Sequence, residues 1–486
     1  MRRDQSAVLT VVLIGTLMSA VDTTIVLLAL PTITTDLHAT LILSIWTILI
    51  YLLVIAILTT QLGKLGDIFG RGRIFNMGFL VFIIGSGLSG LSPTIEFLIG
   101  FRVVQAVGAA LMQANSSAIV ADTFEPQVRG RAFGFTTLGW NIGGTLGIVL
   151  GGVITTFISW RFIFYINVPI GLIGLFLGMK YVKDNNRVPS TLDYGGIVIL
   201  GTILALIAYG ATDLTSNGPD LFNGVLILLG ILMIPVFVMY EKRVSSPVID
   251  FKAFESKLLS YSLLASFLQA LGYLSIVFLL IMYLQGIRGL SPLDSALLLV
   301  PGYVVASLLA PRMGRYADRV GFGRMATLGI ALMSVAVFIY LTLTVSSNYL
   351  VVITASTISG LGGAMFWPAN NGAIMSAARS GIYGSIGGLT RTLSNIGTLL
   401  SFVVTITVAS LSVSRTVAFT VFLGLGNLQG GVSAKFLGGI HIALIISLMI
   451  LIAAGVLSSF RIRMGGNMAA EKHGQENVSP EKVSNS

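Results

Sequence analysis

Cysteine is absent from the 486 residues, and charge is scarce, with Lys, Arg, Asp and Glu forming 10% of the chain. Without Cys there is no disulfide, thiolate nucleophile or Cys-based metal site. Soluble proteins carry about 25% charged residues. Here 29 basic and 19 acidic side chains cannot coat a water-exposed surface for a chain this long. Disorder is excluded as well, because 55% of the residues are hydrophobic. Catalytic motifs are also missing: no G-x-x-x-x-G-K-[ST], no H-E-x-x-H and no G-x-S-x-G occurs, and His38, His441 and His473 are scattered. No enzyme activity, metal or cofactor is expected, and repeated filter loops of a channel are not seen. The net charge of +10 would suggest nucleic acid for a soluble chain. In a membrane protein it belongs on cytoplasmic loops, and no nucleic-acid partner is expected.

What the chain does have is long apolar runs. The first, from about Val8 to Leu30, spans roughly 33 Å as a helix and is too long for the core of a cleaved signal. Fourteen such runs follow one another, the last at about 436–460. They are too long and too uniformly apolar for barrel strands. With the N-terminus placed inside, 24 of the 29 Lys and Arg fall on the cytoplasmic side, four outside, and Arg102 alone within a span. This asymmetry supports fourteen helices with both ends cytoplasmic, in a plasma (inner cell) membrane. Residues 464–486 are polar and read as a disordered tail.

Two cytoplasmic loops are alike. Gly63-Lys64-Leu65-Gly66-Asp67-Ile68-Phe69-Gly70-Arg71-Gly72-Arg73 and Gly314-Arg315-Tyr316-Ala317-Asp318-Arg319-Val320-Gly321-Phe322-Gly323-Arg324 both fit G-x-x-x-D-x-x-G-x-x-R, 251 residues apart. The Asp can accept from an Arg and from amides at a helix N-terminus. The repeat predicts a duplicated all-α membrane fold. One six-helix bundle covers 1–183 and another 258–463, with an inserted two-helix hairpin at 184–257.

The Gly63–Arg73 loop is similar to the signature loop of the major facilitator superfamily. Asp22-Thr23-Thr24-Ile25-Val26 running to Pro31 resembles the helix 1 motif of that superfamily's fourteen-helix drug/proton antiporter branch. So do Leu98, Arg102 and Gln105 in helix 4, Gly147 with Gly151-Gly152 in helix 5, and Trp160-Arg161-Phe162 through Gly171 at the helix 5–6 junction. The resemblance covers about residues 8–460. Ala106 stands where the helix 4 motif has Gly, and Ile148 where the helix 5 motif has Pro.

Asp22 lies deep in the first run, where an acid costs about 2.5–3.5 kcal/mol on insertion scales. It reads either as a carboxylate that alternates between proton and substrate or as a structural Asp bonded to Thr23, Thr24 or a neighbouring helix. The resemblance implies that Arg102 takes part in proton transfer by biasing a nearby carboxylate; a structural Arg is the alternative. Gly63, Asp67, Gly70, Arg71, Asp122, Arg131, Gly314 and Asp318 are read as conformational gating residues, with ordinary topology-setting charge the alternative for the charged ones. Gly143, Gly147, Gly151 and Gly152 belong to a helix 5 stripe that allows close packing, or a seal between the halves. Trp46, Tyr51, Gln113, Asn115, Trp140, Asn141, Gln269, Tyr273, Trp367 and Asn370 are aromatic or amide groups within spans and are candidates for a cavity wall.

These residues imply a monomeric secondary transporter working by alternating access. Proton-coupled multidrug efflux is the first reading. The substrate is a small lipophilic or cationic molecule, and a monocation exchanged for one proton moves without net charge. Two alternatives stay open: a carrier of an endogenous metabolite, lipid-like molecule or siderophore, and a non-transporting sensor or scaffold.

Overall fold

The computed structural model describes residues 3–184, 191–377, 383–411 and 432–476. Fourteen helices among them are long and apolar enough to cross a membrane. They are α1 (Arg3–Asp36), α2 (Leu41–Phe69), α3 (Arg71–Gly90), α4 (Ile95–Thr123), α5 (Pro126–Phe157), α6 (Asn167–Tyr181), α7 (Tyr194–Asn217), α8 (Leu221–Glu241), α9 (Lys257–Tyr273), α10 (Pro292–Val320), α11 (Phe322–Tyr340), α12 (Tyr349–Ala377), α13 (Tyr383–Leu411) and α14 (Val432–Glu476). A short turn, Phe162–Tyr165, leads into α6, and α9 is extended by Ile276–Ile281 and a π turn at Met282–Ile287.

Local chemistry marks where the helices start. Asp193 caps α7 by accepting from Gly196 N at 2.7 Å. Asp220 and Asn223 form a reciprocal capping box on α8. Pro126 and Pro292 sit in the first turns of α5 and α10, where the missing N–H has no helical partner to lose.

Helices α1–α6 pack on one another and α9–α14 do likewise, which gives two six-helix bundles. The sequence repeat recurs in the geometry. Gly70 (φ 109°) and Gly321 (φ 102°) each occupy the single position between two spans, in a conformation that a side chain would strain. Eight residues beyond each, another glycine lets two helices of one bundle meet at the backbone. A Cβ on Gly78 would lie 3.0 Å from Gly108 O, and one on Gly329 would lie 2.6 Å from Gly362 O.

The inserted hairpin, α7 with α8, rests on both bundles through adjacent residues. Trp46 Nε1 on α2 donates to Thr212 Oγ1 at 3.1 Å, and Thr407 Oγ1 on α13 donates to Ala211 O at 3.2 Å. Helix α8 turns Leu228, Leu232 and Val236 outward, as a lipid-facing helix must.

Two expectations change. Helix α14 continues to Glu476, so residues 464–476 are helical where a disordered tail was expected. Arg391, one of the 24 basic residues that the charge count puts on the cytoplasmic side, lies within the spanning segment Ile386–Ala409.

Candidate transport site

Asp22 on α1 is 0% exposed, and Arg102 on α4 is 1% exposed. They meet directly. Arg102 Nη1 donates to Asp22 Oδ2 at 2.6 Å, and Gln105 Nε2 donates to Asp22 Oδ1 at 2.8 Å, so each carboxylate oxygen has a partner. One turn separates Arg102 from Gln105, which puts both on the face of α4 that looks at α1. Arg102 Nη1 also donates to Gln105 Oε1 at 2.8 Å, and its Nε donates to Thr47 O on α2 at 3.2 Å. The guanidinium lies 4.1 Å from the Tyr51 ring centroid. Gln105 is steadied from behind, since its Nε2 lies 3.1 Å from Ser86 Oγ on α3, which also accepts from Asn167 on α6. Five of the six helices of the N-terminal bundle thus converge on one charged pair. Breaking such a pair from one side leaves an uncompensated buried charge, at a cost of about 3–5 kcal/mol.

The glycine stripe explains how α1 and α5 come so close beside this pair. A Cβ on Gly143 would lie 2.7 Å from Leu17 O, one on Gly147 2.7 Å from Val21 O, and one on Gly151 3.0 Å from Ile25 O. This face therefore packs within one bundle. Gly144 and Gly152, one step around the helix, face the other half: their Cβ positions lie 3.1 Å from Tyr303 and 3.0 Å from Ala296 on α10.

The signature loop forms a clasp within the same bundle. Arg71 lies 2.7 Å from Asp67 on α2 and 2.7 Å from Asp122 on α4. The amides that open α3 are capped by a residue outside the motif: Asp184 Oδ1 accepts from Gly72 N at 2.7 Å and Arg73 N at 3.3 Å. In the second copy Gly314 packs on Pro368. The side chains of Asp318 and Arg131 lie outside the described residues. The conserved spacing hides a difference in charge: Phe322 stands where the first loop has Arg71. Near Gly323 the buried Arg461 donates to Asn370 Oδ1 and to the hydroxyls of Ser262 and Ser458. At the C-terminal end of α1, Trp160 Nε1 and Arg161 Nη1 both donate to Asp36 Oδ2, at 2.9 and 2.7 Å.

The halves touch at both ends. At the end that carries the Gly63–Arg73 loop, Thr60 and Thr392 hydroxyls lie 2.5 Å apart, and Asn395 Nδ2 donates to Thr59 Oγ1 at 3.4 Å. At the opposite end, Gly152 packs on Pro292 and Ala296. Where α1, α4 and α5 face α13 lies a cavity of about 10 Å³, room for one water. Gly15 and Thr16 of α1, Met112, Gln113 and Ser116 of α4, and Trp140 of α5 form one wall; Arg391 of α13 faces them from the other half.

Of the ten cavity candidates, Gln113 and Trp140 line this space. Trp46 on α2 bonds to the hairpin, Tyr51 stacks on Arg102, and Asn115 Nδ2 donates to Leu62 O and Leu111 O. Asn370 belongs to the Arg461 network, and Gln269 Nε2 contacts Met333 Sδ at 3.5 Å. Trp367 packs edge-on against Phe366 at 5.3 Å, Tyr273 is half-buried on α9, and the backbone carbonyl of Asn141 accepts from Thr145. Arg391, Asp184 and Arg461 were missed. The available signal for Arg391 was its place inside an apolar run, which the loop-charge count overrode.

A sequence profile described as Major Facilitator Superfamily matches residues 12–402. The Tetracenomycin C resistance and export protein of Streptomyces glaucescens is 30% identical over 389 residues, covering 79% of this chain and 72% of that one. The riboflavin transporter RibZ of Clostridioides difficile is 28% identical, covering 80% and 85%. The multidrug efflux pump LfrA of Mycolicibacterium smegmatis is 25% identical, covering 89% and 86%. Among solved structures, a bacterial homologue of the human lysosomal transporter Spinster, inward-facing and unoccupied, superposes with a TM-score of 0.64 at 16% identity, over 96% of this chain and 98% of that one.

Proposed function

The chain belongs to the Major Facilitator Superfamily, and from that premise we propose that it exports lipophilic small molecules in exchange for protons, as a multidrug efflux antiporter working by alternating access. The observation that carries this reading is the Asp22–Arg102–Gln105 cluster, sealed from water inside one bundle. A charged pair in hydrocarbon is costly and marks ion or proton pathways in membrane proteins.

The cluster and the cavity share two helices. Asp22 is on α1 with Gly15 and Thr16, and Arg102 is on α4 with Met112, Gln113 and Ser116. A proton on Asp22 removes the charge that ties α1 to α4. Arg102 then keeps Thr47 O, Gln105 Oε1 and the Tyr51 face, all on α2 and α4. Loading and release of one proton thereby loosens and tightens the wall of the cavity. The two bundles rock about it, and the Asp67–Arg71–Asp122 clasp keeps α2, α3 and α4 together while they move.

Flux in proteoliposomes across an imposed pH gradient tests this, with a panel of lipophilic compounds. The expected result is gradient-dependent movement in the wild type. Equal flux with and without the gradient counts against proton coupling. A second reading, transport of an endogenous metabolite, draws on the similarity to the riboflavin transporter of Clostridioides difficile. Altered metabolite levels without altered drug tolerance would favour it.

A further inference from the structure

We propose that the site between the halves, closed here to the size of one water, opens to take organic anions: planar, aromatic substrates with an ionised acid group that docks on Arg391. This rests on the transport reading above and replaces the expected cationic substrate.

The cavity has one charged wall residue, and it is an arginine. Its guanidinium carbon lies 5.7 Å from the Trp140 ring centroid, across the boundary between the halves. Among the described residues no carboxylate pairs with it. The sequence shows why. Between residues 257 and 463 the only acids are Asp294 and Asp318. Asp294 is at the outer end of α10, bonded to Ser291. Asp318 is at the cytoplasmic end of the same helix, four residues short of α11. Across the boundary, Asp22, the acid deep within α1, has both oxygens engaged by Arg102 and Gln105. Around the cavity, the described residues therefore hold one neutralised pair, Asp22 with Arg102, and one positive charge without a carboxylate, Arg391.

A guanidinium half withdrawn from water seeks acceptors, and an oxyanion satisfies its planar fork better than any neutral group. A cationic substrate would meet like charge there. The rest of the wall refines the ligand. Trp140 offers an aromatic face and Met112 an adaptable apolar surface. Gln113 Oε1 is buried without a partner, which favours a ligand that also carries a donor, such as a phenol. Both halves contribute, Arg391 from α13 and the remainder from α1, α4 and α5, so an anion bound between them holds the halves together and its departure frees them.

The competing account is that Arg391 is a latch on Trp140 with no ligand. A latch affects every ligand alike, whereas an anion site discriminates by charge. The test uses the full-length protein in nanodiscs, with binding read by quenching of tryptophan fluorescence. The probes are 6-hydroxy-2-naphthoate, its primary amide and the matching trimethylammonium compound, three charges on one ring system. The wild type is expected to bind the carboxylate about tenfold more tightly than the amide, and the ammonium most weakly. Arg391→Gln should bring the carboxylate down to the level of the amide, and Arg391→Lys should keep part of the preference. Equal or tighter binding of the ammonium by the wild type overturns the proposal. So does equal weakening of all three probes by Arg391→Gln, or binding of none of them in an Arg391-dependent way. Flux of the same probes is measured in vesicles. Gradient-driven flux without acid preference defeats this inference and leaves the transport reading standing. Acid preference in binding with no flux under any gradient does the reverse.

Discussion

The buried pair offers a quantitative test through a double-mutant cycle. In the wild type Asp22 accepts from Arg102 at 2.6 Å and from Gln105 at 2.8 Å. Asp22→Asn keeps the shape and removes the charge, so the Arg102 guanidinium is buried with only neutral acceptors, Thr47 O and Gln105 Oε1. Arg102→Gln leaves the opposite orphan, a carboxylate with one amide donor. Each single change should cost about 3–5 kcal/mol if the orphan stays dry, and less where the site relaxes. The double variant holds two neutral amides that can bond to each other, so its cost should be well below the sum. A coupling energy of about 2 kcal/mol or more is expected, since contacting charged groups couple by about 0.5–3 kcal/mol and these are fully buried. The assay is unfolding of the purified full chain in mixed micelles, with folded fraction read by circular dichroism. Additive costs, within about 0.5 kcal/mol, would refute the direct pairing.

Three further outcomes follow from the same geometry. Gly147→Val places atoms against Val21 O, where even a Cβ would be 2.7 Å away, so it should cost about 1–3 kcal/mol and lower the yield of folded protein, while Gly100→Ala, with nothing within 4 Å, is silent; size-exclusion profiles compare them. Arg71→Ala removes two ion pairs that are partly exposed, each worth about 1 kcal/mol or less, so folding should survive and the turnover rate should fall with little change in KM, as measured by initial-rate flux. If a monoanion leaves as one proton enters, two elementary charges cross per cycle, worth about 4.6 kcal/mol per 100 mV. A potassium diffusion potential without a pH gradient should then drive current, and an electrically silent exchange would contradict the anion assignment.

The positions of the helices were legible in the sequence because fourteen runs are apolar throughout and the few charges bracket them. Asp22 and Arg102 stood out for the same reason. Their pairing did not, because a helix that is apolar on every side carries no stripe to say which face is inside: lipid and bundle interior demand similar residues. That ambiguity also hid which amides line the cavity, so Asn115 and Asn370 looked equivalent to Gln113. The glycine spacing on α5 announced a close approach but not its partner, which is α1 for Gly143, Gly147 and Gly151 and α10 for Gly152. Arg391 was misplaced because charge near the start of a run was assigned to the loop, a rule that works for lipid-facing helices and fails for one that turns toward the centre.

The most direct test of the account is counterflow of a transported compound in proteoliposomes at a fixed imposed pH gradient, comparing the wild type with Asp22→Asn. The account predicts that Asp22→Asn abolishes the acceleration by the gradient while the compound still binds. Acceleration equal to that of the wild type would contradict it.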